Sequence, residues 1–272
     1  MKQVEIITVG SELLLGSILD TNSNWVCKQI SGLGGQVNRV VLVQDDVDGI
    51  ATEIRTALAH GVDFVFTLGG LGPTSDDMTL EAVAKVTGNE LEPNAAALAF
   101  VQRRYEAFYR DGSVDSPTMT ESRRKMGVLP RDSVLLDNRV GAAPSVLLIL
   151  PSGIRLVCLP GVPREMKDVF TNSLTAVLRE CFGSGAFAER TLVTDCKDES
   201  LLVPILREVA AQLGDVYIKS LTDKFGPDVQ LQIKLALRAD THDQVISRLD
   251  RAQQILEQSL HERGITVLKT GE

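Results

Sequence analysis

Histidine is scarce and cysteine is scattered in this 272-residue chain, and both shortages narrow its chemistry. The three histidines, His60, His242 and His261, lie far apart, at expected helix ends or on polar faces. They give no basis for a histidine-based metal site or a Ser-His-Asp triad. Cys27, Cys158, Cys181 and Cys196 form no CxxC pair and read as reduced, structural thiols of a cytosolic protein. No block of five or more basic residues occurs and the net charge is −8. Phosphate-backbone binding depends on clustered Lys and Arg, so nucleic acid is excluded as the principal partner. No run approaches the ~20 apolar residues that span a bilayer. The N-terminal Met1-Lys2-Gln3-Val4-Glu5-Ile6-Ile7 enters an apolar strand without a signal peptide's long apolar region. The expectation is a soluble, cytoplasmic protein without a membrane partner.

Apolar residues make up 44% of the chain, enough for a proper core in one large domain or two unequal ones. Short β-branched runs alternate with amphipathic stretches of helical length. Strands are expected at Gln3–Val9, Val37–Val43 and Val62–Leu68. Helices are expected at about Asn22–Leu33, Asp46–His60, Asp76–Thr87 and Asn94–Tyr109. A hairpin, Ser145–Leu150 with Ile154–Cys158, turns at Pro151-Ser152-Gly153, and a helix at about Pro163–Cys181 closes the unit. The alternation implies an α/β fold of three layers around a mainly parallel sheet.

Gly183-Ser184-Gly185-Ala186 is the candidate linker between a domain at 1–182 and a smaller one at 188–272. The second domain reads as strand Arg190–Thr194, helix Glu199–Gln212, strands Val216–Leu221 and Val229–Leu237, helix His242–Leu260 and strand Ile265–Leu268. That βαββαβ order is the split-βαβ arrangement of a small α+β, ferredoxin-like or KH-like domain. It carries no GxxG clamp, and from Glu189 onward 11 basic residues face 14 acidic ones. RNA binding does not follow from such a topology.

Ligands of parallel α/β sheets bind beyond the carboxyl ends of the strands. Three glycine-bearing loops belong there: Gly10-Ser11-Glu12-Leu13-Leu14-Leu15-Gly16, Gly69-Gly70-Leu71-Gly72-Pro73-Thr74-Ser75-Asp76-Asp77, and Pro160-Gly161-Val162-Pro163-Arg164-Glu165. Gly69, Gly70 and Gly72 allow close backbone approach to a phosphate, and a helix starting near Asp76 would favour an anion. Asp76 and Asp77 would repel a pyrophosphate at that place unless a divalent cation lay between, so either they hold a hard ion such as Mg²⁺ or they only cap the helix. Asp45 and Asp46, after the second strand, are N-cap candidates of which one could reach the same site as metal ligand or general base. Glu12 and Glu165 are acids with equal claims to function and to helix-start duty. Asn138 could bind a base or ribose, or serve a turn. The glycine loop is not a Walker A motif, since no Gly-Lys-Ser/Thr follows, and a Rossmann GxGxxG is missing after the first strand.

These three loops, together with Met78-Thr79 and Met166, resemble the CinA (competence/damage-inducible protein A) family, whose amino-terminal part belongs to the molybdopterin-binding-like MoaB/MogA superfamily. The resemblance covers nearly the whole chain. It implies a three-layer α/β domain followed by a KH-like domain, and a metal-dependent pyrophosphatase acting on ADP-ribose or FAD. It also implies Mg²⁺, Mn²⁺ or Co²⁺, alone or together with K⁺, and a homodimer. The family's carboxy-terminal nicotinamide mononucleotide deamidase domain is expected to be missing. Carried over by position, Asp77 falls where relatives keep an essential aspartate, and Asp45 matches their acid after strand two. Asp76 replaces a residue often basic in molybdopterin-handling relatives. Gly10, Ser11, Glu12, Gly69, Gly70, Gly72, Pro73, Thr74, Asn138, Gly161 and Glu165 are the expected ligand-cradling set, with Asp45, Asp76 and Asp77 as catalytic metal ligands. One departure stands out: Ser145 replaces the last glycine of the family's Asn-x-x-Gly-Thr-Ala-Pro-Gly pattern. The expected function is hydrolysis of a nucleotide pyrophosphate. A molybdopterin-binding module without hydrolase activity is the alternative, and a non-catalytic interaction protein a third.

Overall fold

The computed structural model describes residues 2–183, 185–221 and 230–271. The chain divides into two compact units: Met1–Ser31 with Gly35–Cys181, and Gly32–Gly34 with Phe182–Glu272.

The first unit begins with β1 (Gln3–Val9), a short α1 (Ser11–Leu14), α2 (Thr21–Gly32), β2 (Gln36–Val43), α3 (Val47–Ala59) and β3 (Phe64–Leu68). It continues with α4 (Thr79–Thr87), β4 (Leu91–Pro93), α5 (Ala95–Arg110), α6 (Glu121–Lys125), β5 (Val128–Pro130) and β6 (Val134–Leu136). β7 (Ser145–Ile149), β8 (Arg155–Leu159), α7 (Pro163–Val169), a π-helical turn (Phe170–Leu174) and α8 (Thr175–Phe182) complete it. The main sheet has the order β2-β1-β3-β8-β7-β6. Its first four strands run parallel, and β7 and β6 join antiparallel. The mainly parallel sheet is as expected.

Both faces of this sheet are covered, which explains why β3 is buried at every residue. Val4, Ile6 and Thr8 of β1 lie beside Phe64, Phe66 and Leu68 of β3. On that side Phe66 stacks on Phe170, and Phe170 meets Trp25 of α2 edge-on at 5.2 Å. Ile7, Val9 and Val65 point the other way, into a core shared with Ile50 and Ile54 of α3 and Ala82 and Val83 of α4. Each of these fully buried large side chains contributes roughly 1.5–3 kcal/mol.

The order places β1 at a reversal of direction. The chain leaves β1 through α2 to β2 on one side, then returns through α3 to β3 on the other. A crevice at the carboxyl ends of β1 and β3 follows from that switch.

Three local expectations change. The helix after β3 starts at Thr79 rather than near Asp76, because the Asp77 carboxylate turns back onto Thr74 and the Thr79 hydroxyl and N–H return to the Gly69 and Gly70 carbonyls. The long helix at Pro163–Cys181 contains a π turn at Phe170–Leu174, the segment that brings Phe170 against Trp25 and Phe66. The small ribbon of β4 and β5 was not foreseen, since three-residue strands carry no readable alternation.

The second unit contains β9 (Ala186–Thr194), α9 (Glu199–Leu213), β10 (Tyr217–Leu221), β11 (Gln232–Ala239), α10 (His242–His261) and β12 (Val267–Gly271). Its sheet is antiparallel, in the order β10-β11-β9-β12. β9 starts earlier than expected because pairing with β11 continues to Ala186 opposite Ala239. The expected strand Val229–Leu237 begins at a residue outside those described, as does Ser184 of the expected linker. Among the described residues no helix is long and apolar enough to cross a membrane.

Candidate functional site

Beyond the carboxyl ends of the parallel strands lies a cleft of about 600 Å³ within the first unit. β1 contributes Gly10 and Glu12, β2 contributes Asp45, β3 the run Gly69–Pro73 with Asp76 and Asp77, and β8 contributes Gly161 and Glu165.

Glycine is required where the strand ends meet. A Cβ at Gly69, whose φ is +108°, would lie 2.4 Å from the Val9 carbonyl oxygen. At Gly70, with φ +68°, it would lie 2.3 Å from the Thr79 hydroxyl. The loop after β3 therefore packs backbone against backbone at the switch point, as close approach to a ligand demands.

Two of the carboxylates are held by hydrogen bonds, Asp45 from the neighbouring loop after β1 and Asp77 from within its own turn. The Ser11 N–H donates to Asp45 Oδ2 at 2.8 Å and the Asp45 N–H to the Ser11 hydroxyl at 3.3 Å, which ties the loop after β1 to the loop after β2. Asp46 caps α3 by accepting from the Gly49 N–H at 2.6 Å. Of that acidic pair, then, one is a cap and the other enters the cleft. Asp77 Oδ2 accepts from the Thr74 N–H at 2.9 Å and from its hydroxyl at 2.6 Å. The Thr74 side chain also holds the exposed Asp76 carboxyl below the usual carboxylate range, helped by the Asp76 N–H and the Lys125 ammonium. Lys125 of α6 donates to the Thr74 and Asp77 carbonyls, the latter at 2.8 Å, and so pins the far side of the loop.

Ser11, Thr74 and Asn138 do not line the cleft. Asn138 is fully buried, and its amide is spent internally. Nδ2 donates to the Ala143 carbonyl at 3.0 Å and to Glu165 Oε2 at 2.8 Å, while Oδ1 accepts from the Val140 and Gly141 N–H groups. The direct base or ribose contact considered for Asn138 is thus replaced by a positioning role toward Glu165. Gly141 belongs to the same device, since a Cβ there would lie 1.8 Å from the Glu165 carboxyl carbon. Ser145, the departure from the family pattern, has a buried hydroxyl without a hydrogen-bond partner.

The three expected metal-binding aspartates reach one cleft without forming a ready-made ligand cluster. Asp45, Asp76 and Asp77 all line the cleft, yet among the described residues no three His, Cys, Asp or Glu side chains come together as a ligand set. Asp45 is drawn toward Ser11 and Asp77 toward Thr74, so the carboxylates face one space from separate loops. Six carboxylates line that space: Glu12, Asp20, Asp45, Asp76, Asp77 and Glu165. Among the described residues no Lys, Arg or His does.

Several lining residues carried no signal in the sequence. Asp20, which accepts from the Ser23 N–H at the start of α2, is one. Asn22 of α2 donates to the Gly161 carbonyl at 2.6 Å, while its buried Oδ1 has no partner. Tyr105 and Phe108 of α5 form an aromatic pair at 5.8 Å, next to Met126. They lie one helical turn apart, a spacing that reads equally well as core.

Residues 5–180 match the model of the family described as the probable molybdopterin binding domain. The chain belongs to that family. A Pyrococcus furiosus member is 39% identical over 222 residues, covering 82% of this chain and 86% of its own length. One from Aeropyrum pernix is 35% identical over 261 residues, covering 95% and 94%. Among solved structures, a CinA protein of unknown function from Thermoplasma acidophilum is 33% identical with a TM-score of 0.57, covering 66% of this chain and 99% of its own. The expected α/β architecture around a mainly parallel sheet is therefore the observed one, and the family's domain contains every residue lining the cleft.

Proposed function

We propose that the cleft hydrolyses the diphosphate of a dinucleotide-type substrate, ADP-ribose or FAD, with the help of a divalent cation. The observation that carries this reading is the charge of the lining: six carboxylates and no cationic side chain around a glycine-built floor. Diphosphate alone would be repelled by that lining, to which no described Lys or Arg contributes, unlike in a P-loop.

The residues fit a hard cation. Asp45 and Asp77 are half-buried carboxylates entering one cleft from different strands, and Mg²⁺ is usually held by one or two carboxylates with waters and phosphate oxygens completing its shell. A cation held by Asp77 and Asp45 would neutralise the diphosphate and lower the pKa of a bound water. The chain's own parts act around it. Gly70, Leu71 and Gly72 have backbone N–H groups not spent on hydrogen bonds among the described residues, and these suit the charge developing on phosphate oxygens. Ser11 and Thr74 orient the two aspartates, Asn138 orients Glu165, and Lys125 fixes the loop that carries Asp77.

A second reading, a molybdopterin-binding module without hydrolase activity, is favoured by the family match itself. The two are separated by incubating the protein with ADP-ribose, FAD, NAD and CoA, with and without Mg²⁺, Mn²⁺ or Co²⁺, and with K⁺ added, and reading products by mass spectrometry. Metal-dependent release of a nucleoside monophosphate supports hydrolysis. Tight retention of a pterin with no turnover on any diphosphate supports the binding module.

A further inference from the structure

The acidic residues and the glycine loops account for only part of the cleft lining. Tyr105 and Phe108 also line it, from successive turns of α5, with Met126 among the same lining residues. Two arginines brace the rings. The Arg123 guanidinium sits 3.8 Å from the Tyr105 ring centre, and the Arg104 guanidinium 5.0 Å from that of Phe108. Arg104 is itself anchored, donating to the Val140 carbonyl at 2.6 Å and the Gly141 carbonyl at 2.7 Å. That anchor ties α5 to the loop whose Ala142 and Ala143 also line the cleft.

Resting on the reading above, we infer that Tyr105 and Phe108 form the subsite for a planar heteroaromatic ring, the base or flavin of the substrate, and select ring-bearing diphosphates over ring-free ones. Three features support this. Both rings are only partly buried, although Tyr105 packs against a small apolar cluster of Phe100, Val101 and Met126, so part of each ring stays exposed. Their arginine partners fix their orientation in advance, which lowers the ordering cost of stacking. A cleft of about 600 Å³ lined by both carboxylates and aromatic side chains suits a ligand that carries both a diphosphate and a ring. Stacking on an aromatic side chain recognises any base by its π face, so several nucleotides would share the subsite.

The test measures the affinity of ADP-ribose, FAD (by flavin fluorescence) and inorganic pyrophosphate, each with the same divalent cation. Tyr105→Ala and Phe108→Ala should weaken ADP-ribose and FAD by about tenfold or more and leave inorganic pyrophosphate unchanged. Tyr105→Phe, which keeps the π face, should restore the loss, and KM should rise more than kcat falls. Phe108→Leu keeps apolar bulk without the π face and guards against a folding defect in the alanine variants. Tyr109→Ala, on the same helix but outside the cleft, is the control for helix integrity. An equal loss for pyrophosphate, or no loss for the ring-bearing ligands, overturns the inference. If the wild-type protein cleaves ADP-ribose and the variants keep its KM, only the ring subsite falls. If it neither binds nor cleaves any dinucleotide, the hydrolase reading falls with it.

Discussion

Asp77 and Thr74 close a turn on themselves: one carboxylate oxygen of Asp77 takes both the N–H and the hydroxyl of Thr74. This arrangement consumes Oδ2 and fixes the carboxylate at the exit of the glycine loop. Thr74→Val removes the hydroxyl bond while keeping the side chain's shape. Hydrogen bonds to charged groups contribute about 1.5–3 kcal/mol when shielded, less at an exposed turn. Turnover should fall about tenfold while the melting temperature barely moves, and unchanged turnover would show that the turn does not position Asp77.

Gly69 is a different kind of requirement. Alanine there meets both a positive φ and the Val9 carbonyl, so Gly69→Ala should cost on the order of 3 kcal/mol. Urea unfolding of the variant checks this. A loss below about 1 kcal/mol would mean that the switch point relaxes freely.

Ser145 offers the opposite sign. Its buried hydroxyl has no partner among the described residues, and an unsatisfied buried group costs about 1–3 kcal/mol. Ser145→Ala should therefore stabilise the protein by about 1 kcal/mol, read as a higher melting temperature. A lower melting temperature would reveal a partner for that hydroxyl.

Burial raises the Cys158 thiol from an ordinary 9.0 to about 12. Below pH 9.0 the thiol is neutral folded and unfolded, and its contribution does not vary. Above that value the unfolded chain loses the proton first, so stability falls as pH rises and the fall ends near 12. Between about pH 8 and about pH 10.5 the wild type should lose about 2 kcal/mol more than Cys158→Ala in urea unfolding. Parallel pH profiles would show that the thiol ionises within the fold.

Much of the first unit was legible in the sequence because its strands are buried on both faces and its glycine loops punctuate them. Gln3–Val9 was located to the residue, and the hairpin at Pro151-Ser152-Gly153 lies where the turn residues put it. That Asp45 and the glycine loop line one cleft followed once β2 and β3 flanked β1. Other features depend on contacts distant in sequence. Lys125 reaches Thr74 across about fifty residues, and nothing local marks it as a loop anchor. Asn138 reads in the sequence equally as a ligand contact or a turn residue, and its side chain is spent on the turn of its own loop and on Glu165. The helix start moved from Asp76 to Thr79 because an Asp in a turn and an Asp at a cap have the same local signature.

Metal-dependent turnover of wild type against Asp77→Ala on ADP-ribose tests the account most directly. The wild type should release AMP only with a divalent cation. Asp77→Ala, folded to the same melting temperature, should be slower by about a hundredfold or more. Undiminished AMP release by the variant with metal present would contradict it.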